Sequence, residues 1–368
     1  MKGVKGSLCA AALVTLIALS ACGGGSGGGG GGSDDLSGYD ASSLSGVTID
    51  SGNVDEVGEV GGSGGKSLGD LSSSDFQDLV ISGVHGGGAE DSGRSASVAE
   101  LTRIAITKVL ERTDGSASVA GLVQEENCDS GSVAVVEEGT SNGALDAGDR
   151  FEVDFDNCVI TYGGFSSFTY DGGFELEVKT LTGDISDDSA DWSYKFVLTY
   201  KPWSIKGSGG FSMDLLIDGQ LVQTGSWNST SELLTVGLTT GSDKDYWVFR
   251  DNETDVVIGY ADFDAQHEID KSGSTNTFET TITSTHITGS AGVLGDGSYR
   301  ITVNTESGKP LAGDVNGNPS SGVVTISGAG GARARVDAGD GACNPGTSYM
   351  LLFDDGSGFT SKGCKNWD

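Results

Sequence analysis

The chain has 368 residues, 62 glycines and a formal net charge of −32. Such an acidic balance argues against nucleic acid as a partner, because its phosphates need a basic surface. It also argues against a surface pressed onto anionic lipid head groups. The length allows one large domain or two ordinary ones, and the charge suits an extracytoplasmic protein that self-repulsion keeps soluble.

The first 21 residues have the pattern of an export signal. Two lysines precede an uncharged run from Leu8 to Leu19, which at about a dozen residues is too short to span a bilayer. The four residues that end at Cys22, Leu-Ser-Ala-Cys, match the lipobox of bacterial lipoproteins. This resemblance implies cleavage after Ala21 and a diacylglycerol on Cys22, so that the membrane is the first expected partner of the chain.

The residue after the cysteine is Gly23 and not aspartate. By the sorting rule of Gram-negative lipoproteins, this favours the outer membrane over the inner membrane. Glycine, serine and aspartate dominate residues 22–75. We predict that this segment is a disordered tether behind the lipid, because such a composition has little apolar surface to bury.

A β-rich domain is predicted over residues 76–305, with a short strand at 76–84 and one amphipathic helix near 97–112. Ser97 and Glu100 form a capping box at the start of that helix. Apolar residues then recur at helical spacing.

Apolar and polar residues alternate from about residue 119 onward. In one example, Phe151, Val153 and Phe155 are separated by acidic residues. Such alternation indicates antiparallel strands with one wet face. We predict a mostly β fold of large antiparallel sheet, either a curved half-barrel or a sandwich, with the helix packed on it. Residues 306–368 are expected to add a hairpin region to the same domain. Hairpin turns are predicted at four Asp-Gly pairs: Asp171-Gly172, Asp218-Gly219, Asp296-Gly297 and Asp355-Gly356.

Four cysteines remain beyond the lipobox: Cys128, Cys158, Cys343 and Cys364. An even number in an exported chain indicates two disulfides. Three connectivities are available, and we favour pairing of nearest neighbours in sequence. A zinc site usually shows CxxC pairs, which the chain lacks.

The cysteine-bounded stretch from Cys128 to Cys158 carries a further resemblance. Its Cys-Asp-Ser-Gly start, its Leu-Asp-Ala-Gly-Asp segment at 145–149 and its Phe-Glu-Val-Asp-Phe-Asp-Asn-Cys end resemble uncharacterised β-rich lipoproteins of Gram-negative bacteria with a glycine run after the lipid cysteine. The resemblance implies a location and a fold class, but no activity.

No catalytic residue, cofactor site or metal site is predicted. His85 opens a His-Gly-Gly-Gly run that looks like an esterase oxyanion-hole motif, but no alternating βα pattern surrounds it. His267 and His286 are expected to be half-exposed strand residues. Two acidic loops, at 314–318 and 354–357, could supply calcium with oxygen ligands, although ordinary Asx turns explain them equally well.

Two functional hypotheses follow from these patterns. The first is a non-enzymatic envelope lipoprotein that acts through surface binding or scaffolding, with an envelope protein as partner. The second is a carrier of a lipid or other apolar ligand in a half-barrel cavity. The central tryptophans would be core in the first case and cavity lining in the second: Trp192, Trp203, Trp227 and Trp247.

Overall fold

A computed structural model gives the fold of the chain. It describes residues 44–62, 123–126, 128–139, 146–162, 166–185, 188–209, 213–251, 256–283, 285–289, 299–315 and 317–367. The predicted strand at 76–84 and the predicted helix near 97–112 lie outside these residues, as does Cys22.

Eighteen strands make up the described sheet, and all pairings between them are antiparallel. The predicted mostly β, antiparallel fold is therefore confirmed. The first nine strands are β1 (Val123–Glu126), β2 (Ser130–Glu138), β3 (Arg150–Tyr162), β4 (Ser166–Thr182), β5 (Trp192–Gly209), β6 (Met213–Asn228), β7 (Leu233–Thr240), β8 (Tyr246–Asp251) and β9 (Val256–Ala261). The others are β10 (Asp264–Asp270), β11 (Thr277–Thr283), β12 (Thr285–Gly289), β13 (Tyr299–Thr305), β14 (Leu311–Asp314), β15 (Val323–Ser327), β16 (Arg333–Asp337), β17 (Ser348–Asp354) and β18 (Thr360–Asn366).

The sheet is a meander that divides at β6. Strands β1 to β6 pair in chain order, each with the next. One half of β6 then pairs with β7 and the other half with β8. The β7 arm continues through β10, β11 and β14. The β8 arm continues through β9, β12, β13 and β15 to β18, so residues 306–368 extend the same sheet.

A line of irregularities separates the two halves of the long strands. The registers shift between Phe155 and Cys158 in β3, between Asp171 and Phe174 in β4, and between Tyr200 and Trp203 in β5. Such bulges bend a strand and re-aim its side chains. Because they occupy neighbouring positions on successive strands, we call this line the crease.

Two glycines allow the strands to approach each other at the crease. Gly172 and Gly219 have φ of 82° and 125°, in the left-handed region that other residues avoid. A Cβ at Gly172 would lie 2.0 Å from the carbonyl oxygen of Pro202, and one at Gly219 would lie 2.3 Å from that of Tyr246. The Asp-Gly pairs at 171–172 and 218–219, predicted as hairpin turns, lie inside β4 and β6 beside the crease, and that prediction is wrong. The pair at 296–297 lies outside the described residues. The pair at 355–356 does lie between β17 and β18, as predicted.

Residues 44–62, which were assigned to the tether, pack on the sheet. Residues 54–62 form a short helix, α1, whose Val54 and Val57 are buried. Asp50 caps this helix, because its side chain accepts hydrogen bonds from the backbone of Gly52 and Asn53. For these residues the tether assignment is wrong.

Glycines bring α1 close to the β8 arm. A Cβ at Gly58 would lie 2.4 Å from a methyl group of Leu351, and one at Gly61 would lie 2.4 Å from a methyl group of Ile326. In the sequence, these glycines contributed to the prediction of a flexible tether. In the structure, they are the positions at which α1 contacts the sheet. Ahead of the helix, Val47 exchanges backbone hydrogen bonds with Arg300 and Ala329.

Candidate functional site

We call the side of the sheet that carries the buried apolar core residues its inner face, and the opposite side its outer face. Along the crease, the inner face carries a row of aromatic rings. Trp203 is fully buried, and its ring centroid lies 5.4 Å from Phe174 and 6.0 Å from Tyr200. The row continues into the β8 arm from Tyr200 to Trp247 to Tyr260, with centroids 6.4 Å and 6.1 Å apart. Burial raises the pKa of the Tyr260 phenol, so this ring stays uncharged. The crease therefore presents a continuous aromatic surface to the interior.

All four central tryptophans contribute to this inner face, and each is buried. Their indole N–H groups differ in whether they have a hydrogen-bond acceptor. The Nε1 of Trp227 donates to the carbonyl oxygen of Asp188 at 2.8 Å, whereas the Nε1 atoms of Trp192 and Trp203 are buried without an acceptor among the described residues. Because buried polar groups are normally paired, these two donors lack the partner that would be expected.

The most unusual polar group on this face belongs to Gln223 of β6. Its side chain is 2% exposed, and neither its Oε1 nor its Nε2 has a hydrogen-bond partner among the described residues. The residues directly opposite on the neighbouring strands are Phe196 and Leu238, both buried and apolar. Leaving a buried donor or acceptor unsatisfied costs about 1–3 kcal/mol per group. The amide of Gln223 thus leaves a hydrogen-bond donor and an acceptor in the interior that no described residue satisfies.

A second polar side chain on this face, His267 of β10, is satisfied. It is 4% exposed, its Nδ1 lies 2.8 Å from the hydroxyl of Thr280 on the neighbouring strand, and its ring stacks on Phe278. Burial lowers the pKa of His267 to about 4, so the ring is neutral at neutral pH. The expectation of a half-exposed His267 is wrong, since its position falls in the inward phase of β10.

The inward positions beside Gln223 carry no charge among the described residues. The described inward side chains within β5, β6, β7, β10 and β11 include no lysine, arginine or carboxylate. Charged residues on these strands fall in the outward phase, as Glu268 and Asp270 do on either side of Ile269. Just beyond the end of β10, the ammonium group of Lys271 lies 5.1 Å from the ring centroid of Trp227. An occupant beside Gln223 would therefore meet apolar and neutral polar groups, and an occupant beside Trp227 would also meet this cation.

His286 lies on β12 and is partly buried, as predicted. Its Nδ1 lies 2.9 Å from the hydroxyl of Thr302, and its Nε2 lies 3.8 Å from a carboxylate oxygen of Asp262. Burial is the main cause of its lowered pKa, and Arg300 adds to the effect. Both described histidines therefore face a threonine directly across a strand pair, which is an ordinary cross-strand contact. His85 lies outside the described residues.

The cysteines form two disulfides, Cys128–Cys158 and Cys343–Cys364. Nearest-neighbour pairing was the favoured prediction, and it is confirmed. The two bonds close stretches of 30 and 21 residues, and by the chain-entropy estimate each would stabilise the fold by about 3.5 kcal/mol.

In the acidic loop at residues 354–357, the carboxylate oxygens accept hydrogen bonds from the protein itself. The carboxylate of Asp354 accepts hydrogen bonds from Arg333 and from the backbone amides of Gly356 and Gly358. The carboxylate of Asp355 accepts from Ser357. This pattern is that of Asx turns, and the described residues contain no group of three metal-ligating side chains.

Gln223 could have been found from the sequence. Its strand places Leu221, Gln223, Gly225 and Trp227 in one phase, and glutamine is the only polar side chain among them. The inward phase is continuous through β6, because the extra residue of the irregularity beside Gly219 lies on β5.

No family model, curated protein or solved structure matches this chain. Among the described residues, no helix has the length and apolar character needed to cross a bilayer.

Proposed function

We propose that this protein is a lipid-anchored protein of the bacterial cell envelope that binds an apolar ligand on the inner face of its sheet. The observation that carries the proposal is Gln223, a buried amide with neither atom paired among the described residues, between apolar cross-strand neighbours on an aromatic face. A protein that used this face only as core would gain stability by placing an apolar residue there. A bound ligand supplies a reason for keeping the amide.

Two features support the location. The lipobox ending at Cys22 implies a lipid anchor, and Gly23 favours the outer membrane. The two disulfides suit an oxidising compartment and would be unusual in the cytosol.

The proposed role is binding without catalysis. His267 and His286 each contact a threonine on a neighbouring strand. For His286 the nearest carboxylate oxygen is 3.8 Å away, which is longer than the hydrogen bond that orients a catalytic imidazole. Among the described residues, neither imidazole has a third group at hydrogen-bond distance that would orient it as a catalytic base.

The anchor is tested by metabolic labelling with palmitate in a Gram-negative host. The wild-type chain should carry the label and fractionate with the outer membrane. Cys22→Ala should abolish the label, whereas Cys9→Ala, a change within the signal, should keep it. Labelling of Cys22→Ala would refute the anchor.

The ligand is tested by native mass spectrometry of the full lipidated chain, extracted from the envelope in mild detergent. We expect an additional mass that is lost when the protein is unfolded in guanidinium chloride with its disulfides intact and then refolded. The competing hypothesis, a scaffolding protein with a ligand-free core, predicts the same mass before and after this treatment.

A further inference from the structure

We infer that the ligand of the inner face is a neutral amphiphile whose head group both donates and accepts hydrogen bonds, and that Gln223 is the residue that recognises it. This inference rests on the proposed function and deepens it, because it names the chemical class of the ligand and the atom pair that selects it.

The head group follows from the chemistry of an amide. The side chain of Gln223 offers two N–H donors and one carbonyl acceptor, and neither kind of group has a partner among the described residues. A ligand that only accepted hydrogen bonds would leave the Oε1 unsatisfied. A carboxamide or an alcohol satisfies both kinds of group, since each can donate to Oε1 and accept from Nε2.

The neutral charge follows from what surrounds Gln223. Its cross-strand neighbours Phe196 and Leu238 are apolar, and the described inward positions within β5, β6, β7, β10 and β11 hold no cation that could neutralise a carboxylate or a phosphate. Lys271, just after β10, lies over the ring of Trp227, which is four residues and ~13 Å along β6 from Gln223. The imidazole of His267 on this face contacts the hydroxyl of Thr280 and is neutral. A charged head group buried here would lack a counterion, and burying an unpaired charge is far more costly than burying a neutral polar group.

The apolar part of the ligand follows from the strand that runs beside Gln223. Trp192, Tyr194, Phe196, Leu198 and Tyr200 form the inward phase of β5, and all are buried. Trp192 lies four residues from Phe196, which is ~13 Å along an extended strand. An aliphatic chain laid along β5 from Gln223 would therefore contact several aromatic rings, with the unpaired indole N–H groups of Trp192 and Trp203 on either side of its head group.

The test uses the tryptophans as reporters. The full lipidated chain, stripped of bound lipid by unfolding and refolding, is titrated at pH 8 with 9,10-dibromostearamide and, separately, with 9,10-dibromostearate. The bromine atoms quench tryptophan fluorescence on contact. The two probes share one chain and differ in the head group, which is a neutral amide in the first and an anion in the second.

We expect the amide to reach half-quenching at a concentration roughly tenfold lower than the anion does, which corresponds to about 1.4 kcal/mol. Gln223→Leu and the near-isosteric Gln223→Met should reduce this preference to less than about threefold, because both remove the amide and leave the apolar face. Gln220→Leu is the matched control. It removes a glutamine from the same strand on the opposite face, and it should keep the full preference.

Two results would overturn the inference. Equal binding of both probes by the wild type would exclude a neutral head group as the basis of selection. An unchanged preference in both Gln223 variants would exclude Gln223 as the selecting residue. In either case, quenching by both probes leaves the proposed function standing. If neither probe quenches and no ligand co-purifies from the envelope, the proposed function fails together with the inference.

Discussion

Two glutamines three residues apart on β6 are buried to nearly the same extent, yet their surroundings are opposite. Gln220 is 4% exposed and Gln223 is 2% exposed. On the outer face, Gln220 donates to the hydroxyl of Thr199 at 2.7 Å and accepts from the backbone of Asp243 at 3.3 Å. On the inner face, both amide atoms of Gln223 are unpaired. Burial is therefore common to both residues, and only the pairing of the amide distinguishes them.

A second buried polar residue on the outer face is also fully paired. Asp218 is 1% exposed, and its carboxylate is bound by the ammonium group of Lys244, the hydroxyl of Tyr246 and the backbone amide of Gly219. Polar groups on the outer face at the crease thus satisfy one another. A structural explanation is sufficient for them, whereas Gln223 has no partner among the described residues. Four measurements test this distinction.

The largest effect is expected from Lys244→Met. It leaves the buried carboxylate of Asp218 without its cation, and removing one partner of such a pair should lower the free energy of unfolding by about 3 kcal/mol. Lys179→Met, which breaks an exposed contact with Glu177, should cost less than about 1 kcal/mol. Urea denaturation gives both values. Equal losses would mean that the outer network is not a structural unit.

The second effect is a pH dependence carried by the inner face. The pKa of His267 is about 4 in the folded protein and near 6.5 in the unfolded chain. Between these values only the unfolded chain binds the proton. His267 should therefore contribute full stability above pH 6.5 and lose about 2–3 kcal/mol as the pH falls toward 4. The check is the difference in unfolding free energy between wild type and His267→Leu at several pH values. A difference that stays constant from pH 7 to pH 4 would contradict a buried neutral ring.

The third and fourth measurements compare the two glutamines directly. Gln220→Leu removes two hydrogen bonds and leaves Thr199 and the amide of Asp243 without their partner. The protein stripped of ligand should lose about 1–2 kcal/mol of unfolding free energy in this variant.

Gln223→Leu should act in the opposite direction. In the stripped protein it removes an unpaired amide and should increase the unfolding free energy by up to about 1 kcal/mol. In protein taken directly from the envelope, the variant should lose the additional stability that a bound ligand gives to the wild type. If Gln223→Leu destabilises the stripped protein as much as Gln220→Leu does, then Gln223 is an ordinary structural residue.

Strand patterning and the cysteine pairs could be predicted from the sequence because both are local signals. Phe151, Val153 and Phe155 alternate with acids and are buried in the expected phase of β3. The disulfides join the cysteines closest in sequence, for which loop closure is least costly.

Two features were misjudged because they depend on other parts of the chain. Asp171-Gly172 lies inside β4, where the carbonyl of Pro202 on β5 closely approaches the glycine. An Asp-Gly pair alone does not distinguish such a mid-strand irregularity from a hairpin turn. Residues 54–62 are helical because Leu351 and Ile326 supply the surface on which their glycines pack. The sequence signal for that helix was Asp50 and Asn53 as a cap, followed by valines at 54, 57 and 60, but the glycine content hid it.

The docking of residues 44–62 also constrains the order in which the molecule assembles. Strands β1 to β6 pair in chain order, so these hairpins can form as soon as both strands have been synthesised. The early segment is different. Val47 bonds to Arg300 and Ala329, and Asp55 pairs with Lys365 at 2.8 Å, 310 residues away. Residues 44–62 are synthesised early but can dock fully only after the last hairpin, β17–β18, has been made. The N-terminal part of the described fold is therefore among the last to reach its native contacts.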